Sequence, residues 1–322
     1  MRSPQVVALG GGHGLAASLR ALRHLTDRLT AVVTVADDGG SSGRLRRELG
    51  VLPPGDLRMA LSALCDDGEW GRTWSDVLQH RFRSEGSLDD HAVGNLLIVA
   101  LWDLLDDPVA GLDWVARLLG SHGRVLPMAT VPLEIEADVH GVDGADGVTV
   151  VRGQAAVATT TGRVAGVRME PSDAPACPEA VTAVQEADWV VLGPGSWYTS
   201  VIPHLLVPGL GQALTTTPAQ RCLTLNLTSP SGETAGLSPV DHLRALASHA
   251  PALRVDVVLA DPRASGDADA LARAAGDLGA RLLLRRVGAA GDPSRHDPLR
   301  LAAALRDVFE GAEGHVPVEA PG

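Results

Sequence analysis

Short apolar segments rich in β-branched residues alternate along the chain with longer segments in which apolar residues recur at helical spacing. Strands that are buried on both faces read as continuous apolar runs, so this alternation is typical of a mostly parallel sheet covered by helices. The pattern therefore predicts a doubly wound α/β fold. The predicted strands are Val6–Leu9, Ala31–Ala36, Trp189–Leu192, Cys222–Leu227, Val255–Leu259 and Leu282–Arg286. The predicted helices are Leu15–Leu25, Leu57–Leu64, His91–Leu105, Pro178–Ala187, Pro239–His249, Ala268–Leu278 and Pro298–Phe309.

The region from Leu126 to Val167 departs from this alternation. Its Thr- and Val-rich segments follow a period of two and are separated by Gly-Asp turns, which predicts antiparallel hairpins. We therefore expect a single domain over 1–322 that carries a small antiparallel β-hairpin insertion at 126–168. The polar, proline-containing tail at 311–322 is expected to fray.

The basic residues of this chain are all arginines, because the sequence contains no lysine. This excludes a P-loop lysine, a Schiff base and a Ser-x-x-Lys nucleophile pair. With 27 arginines against 39 acidic residues, the formal net charge is −12. A charge of that sign opposes attraction to nucleic acid or to an anionic membrane, so we expect no nucleic-acid partner.

Three cysteines, Cys65, Cys177 and Cys222, lie far apart and favour neither a disulfide framework nor a cysteine metal site. The chain enters its first predicted strand within a few residues, which leaves no room for a signal peptide. No apolar run reaches the length of roughly 20 residues that a membrane span needs. We therefore expect a soluble, cytoplasmic protein without membrane insertion.

A glycine-rich loop, Gly10–Gly14, joins the first predicted strand to the first predicted helix. Glycines allow the backbone to approach a ligand, and the start of a helix offers free N–H groups to an anion, so the loop predicts phosphate binding. The run Gly12-x-Gly14-x-x-Ala17, followed by Asp37 at the end of the second strand, also matches a relaxed dinucleotide fingerprint. A tight turn without any ligand is the third interpretation.

Two adjacent carboxylates, Asp37 and Asp38, follow the second predicted strand and lead into a Gly/Ser segment that is interpreted as a flexible loop. The carboxyl ends of parallel strands share one edge of the sheet, so this segment and the Gly10–Gly14 loop are expected to face one space. The carboxylates could hold a hydroxyl or Mg²⁺, and Ser41 and Ser42 could cradle an anion. A solvated loop without function is the alternative.

Four further positions are candidates for the same site. Asp56 is either a helix cap or a ligand, and Asn95 needs a polar partner if it is buried. The glycine loop Gly193–Ser196 follows another strand, and Asn226 lies at the end of the next one. Gly94, beside Asn95, is explained either by helix packing or by a ligand.

Histidines contribute one candidate, His13 in the first glycine loop. The 11 histidines include no His-x-x-x-His or His-Glu-x-x-His spacing, so zinc has no support. The absence of a Gly-x-Ser-x-Gly elbow weighs against an α/β-hydrolase. We assign no catalytic residue.

Ordered blocks over roughly residues 5–310 resemble the bacterial YvcK family of gluconeogenesis factors. The blocks are Gly10–Leu15, Val35–Arg46, Pro53–Arg58, Gly94–Leu97, Gly193–Ser200 and Gly232–Thr234. The resemblance implies a Rossmann-like fold and kinship with the 2-phospho-L-lactate transferases of coenzyme F420 synthesis. It also implies binding of UDP-sugars, notably UDP-N-acetylglucosamine, and a role in cell shape and wall synthesis on gluconeogenic carbon sources.

The resemblance further implies which residues touch the ligand. Glycines of the first loop would hold the diphosphate, Asp37 and Asp38 would meet the sugar or a metal, and Arg295 would reach the nucleotide. Two positions depart from the family, which usually has threonine at His13 and asparagine at Asp297. The full expected binding set is Gly11, Gly12, His13, Gly14, Leu15, Asp37, Asp38, Gly39, Ser41, Ser42, Asn95, Gly193, Pro194, Gly195, Ser196, Asn226 and Arg295. The expected metal ligands are Asp37, Asp38 and Asp56.

The sequence thus favours a regulatory protein that binds a UDP-sugar, with Mg²⁺ as a further candidate and cell-wall synthesis or morphogenesis proteins and a second copy of the chain as expected partners. The first alternative is a Mg²⁺-dependent phosphotransferase of the 2-phospho-L-lactate transferase type. A nicotinamide-dependent dehydrogenase is the second alternative and ranks lowest, because no proton-relay residue is identifiable.

Overall fold

The computed structural model describes residues 3–144, 147–228 and 232–311. The described strands are β1 (Val6–Gly10), β2 (Leu29–Val33), β3 (Arg124–Pro127), β4 (Glu134–His140), β5 (Val148–Arg152), β6 (Arg163–Glu170), β7 (Trp189–Leu192), β8 (Gln220–Thr224), β9 (Val257–Ala260) and β10 (Arg281–Leu284). Seven of them form one sheet in the order β10-β9-β8-β7-β1-β2-β3, and every neighbouring pair is parallel. The prediction of a parallel α/β fold is confirmed.

Helices connect the strands of this sheet and pack against it. They are α1 (Gly12–Leu22), α2 (Gly40–Leu49), α3 (Gly55–Ala63), α4 (Glu69–Gln79), α5 (Val93–Leu105), α6 (Pro108–Leu119), α7 (Gln154–Ala158), α8 (Pro178–Glu186), α9 (Pro203–Leu206), α10 (Pro208–Thr216), α11 (Pro239–His249), α12 (Ala268–Asp277) and α13 (Pro298–Phe309). Every residue of the central strands β1 and β7 is buried, as their unbroken apolar sequence predicts.

The segment after Asp38 differs from its prediction. Its Gly/Ser composition predicts a flexible loop, but Gly40–Leu49 is the helix α2, and both Ser41 and Ser42 are buried in its first turn. The sequence also did not predict helices α4, α6, α7, α9 and α10. Strand boundaries differ by a few residues, as at β2, which ends at Val33 rather than Ala36.

The insertion is a separate three-stranded antiparallel sheet in the order β5-β4-β6. Its strands span Glu134–Glu170, whereas the expected start at Leu126 falls within β3 of the main sheet, so that boundary was placed too early. The turn at residues 145 and 146 and most of the tail that was expected to fray, 312–322, lie outside the described residues.

All three cysteines are buried and free. Burial raises the pKa of Cys65 and of Cys177 to about 11, and the pKa of Cys222 to about 12. Within the described part of the chain, none of the helices is both long enough and apolar enough to pass through a membrane.

Candidate functional site

The strand order reverses between β1 and β7, which are neighbours in the sheet although the chain winds away from them in opposite directions. In open parallel sheets, ligands bind outside the carboxyl ends of the strands at such a switch point. The two loops at this point are Gly10–Gly14, after β1, and Gly193–Ser196, after β7. The structure therefore brings both predicted glycine loops to one crevice.

The two glycine loops are in direct contact. A Cβ atom at Gly14 would lie 2.2 Å from the carbonyl oxygen of Pro194 and 2.7 Å from the Cα atom of Gly195. Ser18, one turn further along α1, donates a hydrogen bond of 2.8 Å to the carbonyl of Gly193. Because position 14 has no space for a side chain, the two halves of the sheet meet there main chain to main chain.

Asp56 holds the first glycine loop from below. Its carboxylate accepts a hydrogen bond of 3.0 Å from the hydroxyl of Thr34 and another from the backbone N–H of Gly12. A Cβ atom at Gly11 would lie 2.5 Å from this carboxylate, and Gly12 has a φ of +54°. Asp56 therefore supports the loop, and α3 begins after Pro54 without a side-chain cap.

Asn226 holds the second glycine loop. Its side-chain oxygen accepts from the backbone N–H of Gly195 at 2.9 Å, and its side-chain nitrogen donates to the carbonyl of the same residue at 2.8 Å. The whole amide group is thus used on the loop. Asn226 thus fixes the backbone of the second glycine loop, and it also lines the crevice, so its expected contact with a ligand stays a prediction.

Glu233 lies in the Gly232–Thr234 block and supports the turn after the second glycine loop, a role that the sequence did not predict. Its carboxylate is buried and accepts a hydrogen bond of 3.0 Å from the backbone N–H of Tyr198, in the turn that follows the second glycine loop. Its other oxygen has no hydrogen-bond partner within the described residues. Burial raises the pKa of Glu233 to about 7.

A cavity of about 360 Å³, the crevice cavity, opens above the contact between the loops. Two cations, Arg20 and Arg295, lie at its wall, and neither forms an ion pair with any part of the chain that the structure describes. Burial, with Arg23 and Arg295 adding to it, lowers the pKa of the Arg20 guanidinium. The lining residues are His13, Gly14, Ala17, Arg20, Pro194, Gly195, Ser196, Asn226, Leu227, Thr228, Ser294, Arg295, His296 and Pro298.

Arg20 was missed from the sequence, although a signal was present. His13, Ala17 and Arg20 are spaced i, i+4 and i+7 on α1, so they share the helix face above the glycine loop. His296 also lines the crevice cavity, and burial lowers its pKa to about 4. The neighbouring Asp297 caps α13 by accepting from the backbone N–H groups of Leu299 and Arg300, a role that asparagine fills equally well.

A second cavity of about 200 Å³, the polar cavity, lies at the carboxyl end of β2. It is lined by Asp37, Gly39, Gly40, Ser41, Ser42, Gly55, Asp56, Arg58, Met59, Arg81 and Asn95. The predicted residues of the Asp37 segment, Asp56 and Asn95 therefore come together, but in a cavity of their own beside the crevice.

Ser41 and Asn95 join the first turns of α2 and α5 at this cavity. The hydroxyl of Ser41 accepts a hydrogen bond of 3.0 Å from the Asn95 side chain and lies 3.0 Å from Nδ1 of His91. Asn95 Oδ1 and Arg58 Nε are buried without a hydrogen-bond partner among the described residues. Buried polar groups are nearly always paired, so these two atoms are exceptions to the usual hydrogen bonding of the interior.

Asp37 and Asp56 place two carboxylates in the polar cavity. Burial, and then the negative charge of Asp37, raises the pKa of Asp56 to about 6. Asp37 is partly tied down, since Oδ1 accepts a hydrogen bond of 3.0 Å from the backbone N–H of Gly39. A cation between the two carboxylates would relieve their repulsion.

Asp38 points away from both cavities. Its carboxylate accepts a hydrogen bond of 2.9 Å from the backbone N–H of Ala155, in the first turn of α7, and thereby attaches the insertion to the end of β2. Among the described residues, no group of three or more His, Cys, Asp or Glu side chains could hold a metal ion. The structure thus brings Asp37 and Asp56 together but not all three expected metal ligands.

Three other residues singled out from the sequence are Leu15, His13 and Gly94. Leu15 is buried in the core at the start of α1 and does not line the crevice cavity. His13 is exposed. A Cβ atom at Gly94 would lie 2.8 Å from Cγ of Leu78 and 2.9 Å from Cδ of Arg58, so helix packing explains this glycine.

Known proteins are similar to this chain over most of its length. The family model described as 2-phospho-L-lactate transferase CofD matches residues 6–279. A Mycobacterium tuberculosis protein named "Putative gluconeogenesis factor" is 54% identical over 307 residues, which cover 94% of this chain and 90% of that protein. The Bacillus subtilis "Gluconeogenesis factor" is 37% identical over 258 residues, 80% of this chain and 78% of that protein.

A solved structure supports the same relationship. The crystal structure of a UPF0052 family member from Bacillus halodurans superposes with a TM-score of 0.84 at 33% sequence identity. The superposition covers 95% of this chain and 99% of that one.

Replacement of Asp38 by alanine tests the structural role of that carboxylate. We expect Asp38→Ala to lower the free energy of unfolding by about 1 kcal/mol, because the first turn of α7 loses its hydrogen-bond acceptor. Hydrogen exchange should show reduced protection of the Ala155 amide. Asp76→Ala, at an exposed carboxylate on α4, is the matched control. Unchanged protection at Ala155 would contradict the assignment.

Stability should depend on pH through Glu233. Its pKa lies near 4.5 when the chain is unfolded and near 7 when it is folded, so the native state loses stability as pH rises across that window. Glu233→Gln cannot titrate and keeps an oxygen for the Tyr198 amide. We expect urea denaturation to show the variant gaining stability over the parent protein with rising pH, by on the order of 3 kcal/mol at most. A parallel pH dependence of both proteins would refute this.

Proposed function

The chain belongs to the family of the 2-phospho-L-lactate transferase CofD and its gluconeogenesis-factor relatives, and from this premise we propose that it binds a UDP-sugar, UDP-N-acetylglucosamine in the first place, as a regulatory protein. The observation that carries the proposal is the crevice cavity at the switch point, floored by two glycine loops and walled by two unpaired arginines. Such a site suits a ligand that carries a diphosphate.

The diphosphate would lie over the first turn of α1. There the helix offers backbone N–H groups, and its dipole favours negative charge. Arg20 and Arg295 would supply the two cations, which matters in a chain whose net charge is −12. Two neighbouring guanidinium groups repel each other, and a ligand with at least two negative charges turns that repulsion into attraction.

The sugar would occupy the polar cavity. Hydroxyl groups can donate to Asn95 Oδ1 and accept from Arg58 Nε, which satisfies both unpaired atoms. Mg²⁺ fits the same place, because this ion is usually held by one or two carboxylates together with ligand phosphates. Asp37 and Asp56 are the residues that would hold it, and Mg²⁺ would supply charge neutralisation of the diphosphate.

A Mg²⁺-dependent phosphotransferase is the second candidate function. The pair of carboxylates in the polar cavity and the match to the transferase family model favour it. Incubation with a phospholactate donor, a deazaflavin acceptor and Mg²⁺ distinguishes the two: product that vanishes in Asp37→Asn supports the transferase, and absence of product together with UDP-sugar binding supports the regulator.

The cellular setting follows from the same proposal. The names of the relatives support a link to gluconeogenic growth. We propose that the protein acts in the cytoplasm and binds cell-wall synthesis or morphogenesis proteins. Through them it influences cell shape when cells grow on gluconeogenic carbon sources.

Isothermal titration with UDP-N-acetylglucosamine and with UDP tests the arginine pair. Arg20→Ala should weaken both ligands roughly tenfold to a hundredfold, because a charge-assisted hydrogen bond contributes about 1.5–3 kcal/mol. Arg295→Ala should behave alike. Arg273→Ala, at an exposed arginine on α12 that lines neither cavity, should bind normally. No heat with the parent protein at millimolar ligand would exclude UDP-sugar binding.

The two cavities should contribute separately to affinity. Asn95→Ala removes the unpaired oxygen from the polar cavity and should weaken UDP-N-acetylglucosamine by roughly tenfold while it leaves UDP unchanged. The same titrations measure this, and thermal melting without ligand checks that the variant is folded. Equal losses for UDP and for the sugar nucleotide would place the sugar elsewhere.

A further inference from the structure

An apolar groove of about 640 Å³ lies between α2 and α5, and it shares no lining residue with the crevice cavity or the polar cavity. We call it the α2/α5 groove. Its lining residues are Leu45, Leu49, Gly50, Val51, Leu52, Leu96, Val99, Ala100, Trp102, Asp103, Asp106, Pro108, Thr130 and Pro132. The groove is continuous with the core, because its floor includes the buried residues Leu45, Val99 and Trp102. The proposed ligand site does not use this surface.

Two helix stripes form the walls of the groove. On α5, Leu96, Val99, Ala100 and Asp103 are spaced i, i+3, i+4 and i+7, and on α2, Leu45 and Leu49 are spaced i and i+4. The side chain of Leu49 is 54% exposed although it is apolar. Apolar stripes on the two sides of a depression are typical of the receptor side of helix-in-groove recognition.

The charge at one end of the groove is unbalanced. Asp103 and Asp106 lie at the carboxyl end of α5, where the helix dipole is itself negative and where the last turn contains no basic residue. Neither carboxylate forms an ion pair within the described residues, and the lining contains no arginine and no histidine. A cation that arrived from outside would be attracted by both carboxylates and by the helix end.

We propose that the α2/α5 groove binds an amphipathic helix of a partner protein, with leucine-like side chains in the groove and a lysine or arginine at the carboxyl end of α5. The apolar face supplies most of the buried area, and the cation sets the direction in which the helix lies.

Electrostatics favour this occupant over a second copy of the chain. Each copy has a net charge of −12, so the approach of a second copy to an acidic groove is opposed by repulsion. A cationic helix experiences the opposite force. The proposal therefore commits to a basic amphipathic segment, and self-association is an outcome of the test.

Fluorescence anisotropy with three labelled peptides of about 18 residues tests the proposal. The first peptide places leucine at i, i+3, i+4 and i+7 and lysine on the other positions, the second has the same composition in scrambled order, and the third replaces lysine by glutamate. Ala100→Arg blocks the groove, Asp103→Arg reverses the charge at its end, and Leu299→Arg is a matched control at an exposed leucine of α13. Circular dichroism verifies that each variant is folded.

The expected result is that the first peptide binds and that Ala100→Arg and Asp103→Arg each weaken it roughly tenfold or more, with no change in Leu299→Arg. Equal binding of the scrambled peptide, or binding that ignores Ala100→Arg, would overturn the proposal. Sedimentation of the full chain covers the remaining case. A dimer that Ala100→Arg dissociates, without binding of the first peptide, would assign the groove to a second copy.

Discussion

The contact between Gly14 and the Pro194 carbonyl determines the shape of the site. The two glycine loops come from different halves of the sheet, and they approach so closely that a Cβ atom at position 14 would stand 2.2 Å from an oxygen. Steric exclusion at one atom thereby fixes the width of the crevice. Gly14 lies in the first turn of α1 and Arg20 on the same helix, so the contact lies directly beside the residues that line the crevice.

Side chains beneath the crevice support backbone. Asp56 and Asn226 were expected to touch a ligand, yet each uses its polar atoms on a glycine loop. Glu233 does the same for the turn after the second loop. There is a physical reason for this support. Glycine loops have high conformational freedom, so they present N–H groups to an anion in a fixed geometry only when other groups restrain the backbone. The contacts left for a ligand are main-chain amides, the arginines of the crevice cavity, and the carboxylates and two unpaired atoms of the polar cavity.

The sequence predicted the sheet well because its strands are buried on both sides, and their apolar runs record that burial directly. It failed at α2, whose first turn, Gly40–Gly43, has the composition of a loop. This turn is held by a hydrogen bond that Ser41 accepts from the Asn95 side chain and by its hydrogen bond with His91, about 50 residues away. The direction of Asp38 likewise depends on α7 in the insertion. Candidate residues could be named from their place at strand ends, but whether each faces a ligand or the backbone is decided by such distant partners. The sequence does allow Arg20 to be predicted as a site residue, because its helical spacing from His13 places both residues on one face of α1.

The three buried thiols give the fold a chemical property of its own. Reactivity toward oxidants and alkylating reagents belongs to the thiolate, and sulfur atoms that are shielded from solvent with a pKa of about 11 or 12 hold their protons at neutral pH. Burial and the raised pKa both disfavour reaction of these thiols with peroxide and with maleimides in the native molecule. Cys222 lies in β8, and Cys65 follows α3. Labelling of each thiol therefore reports local unfolding of a different part of the molecule.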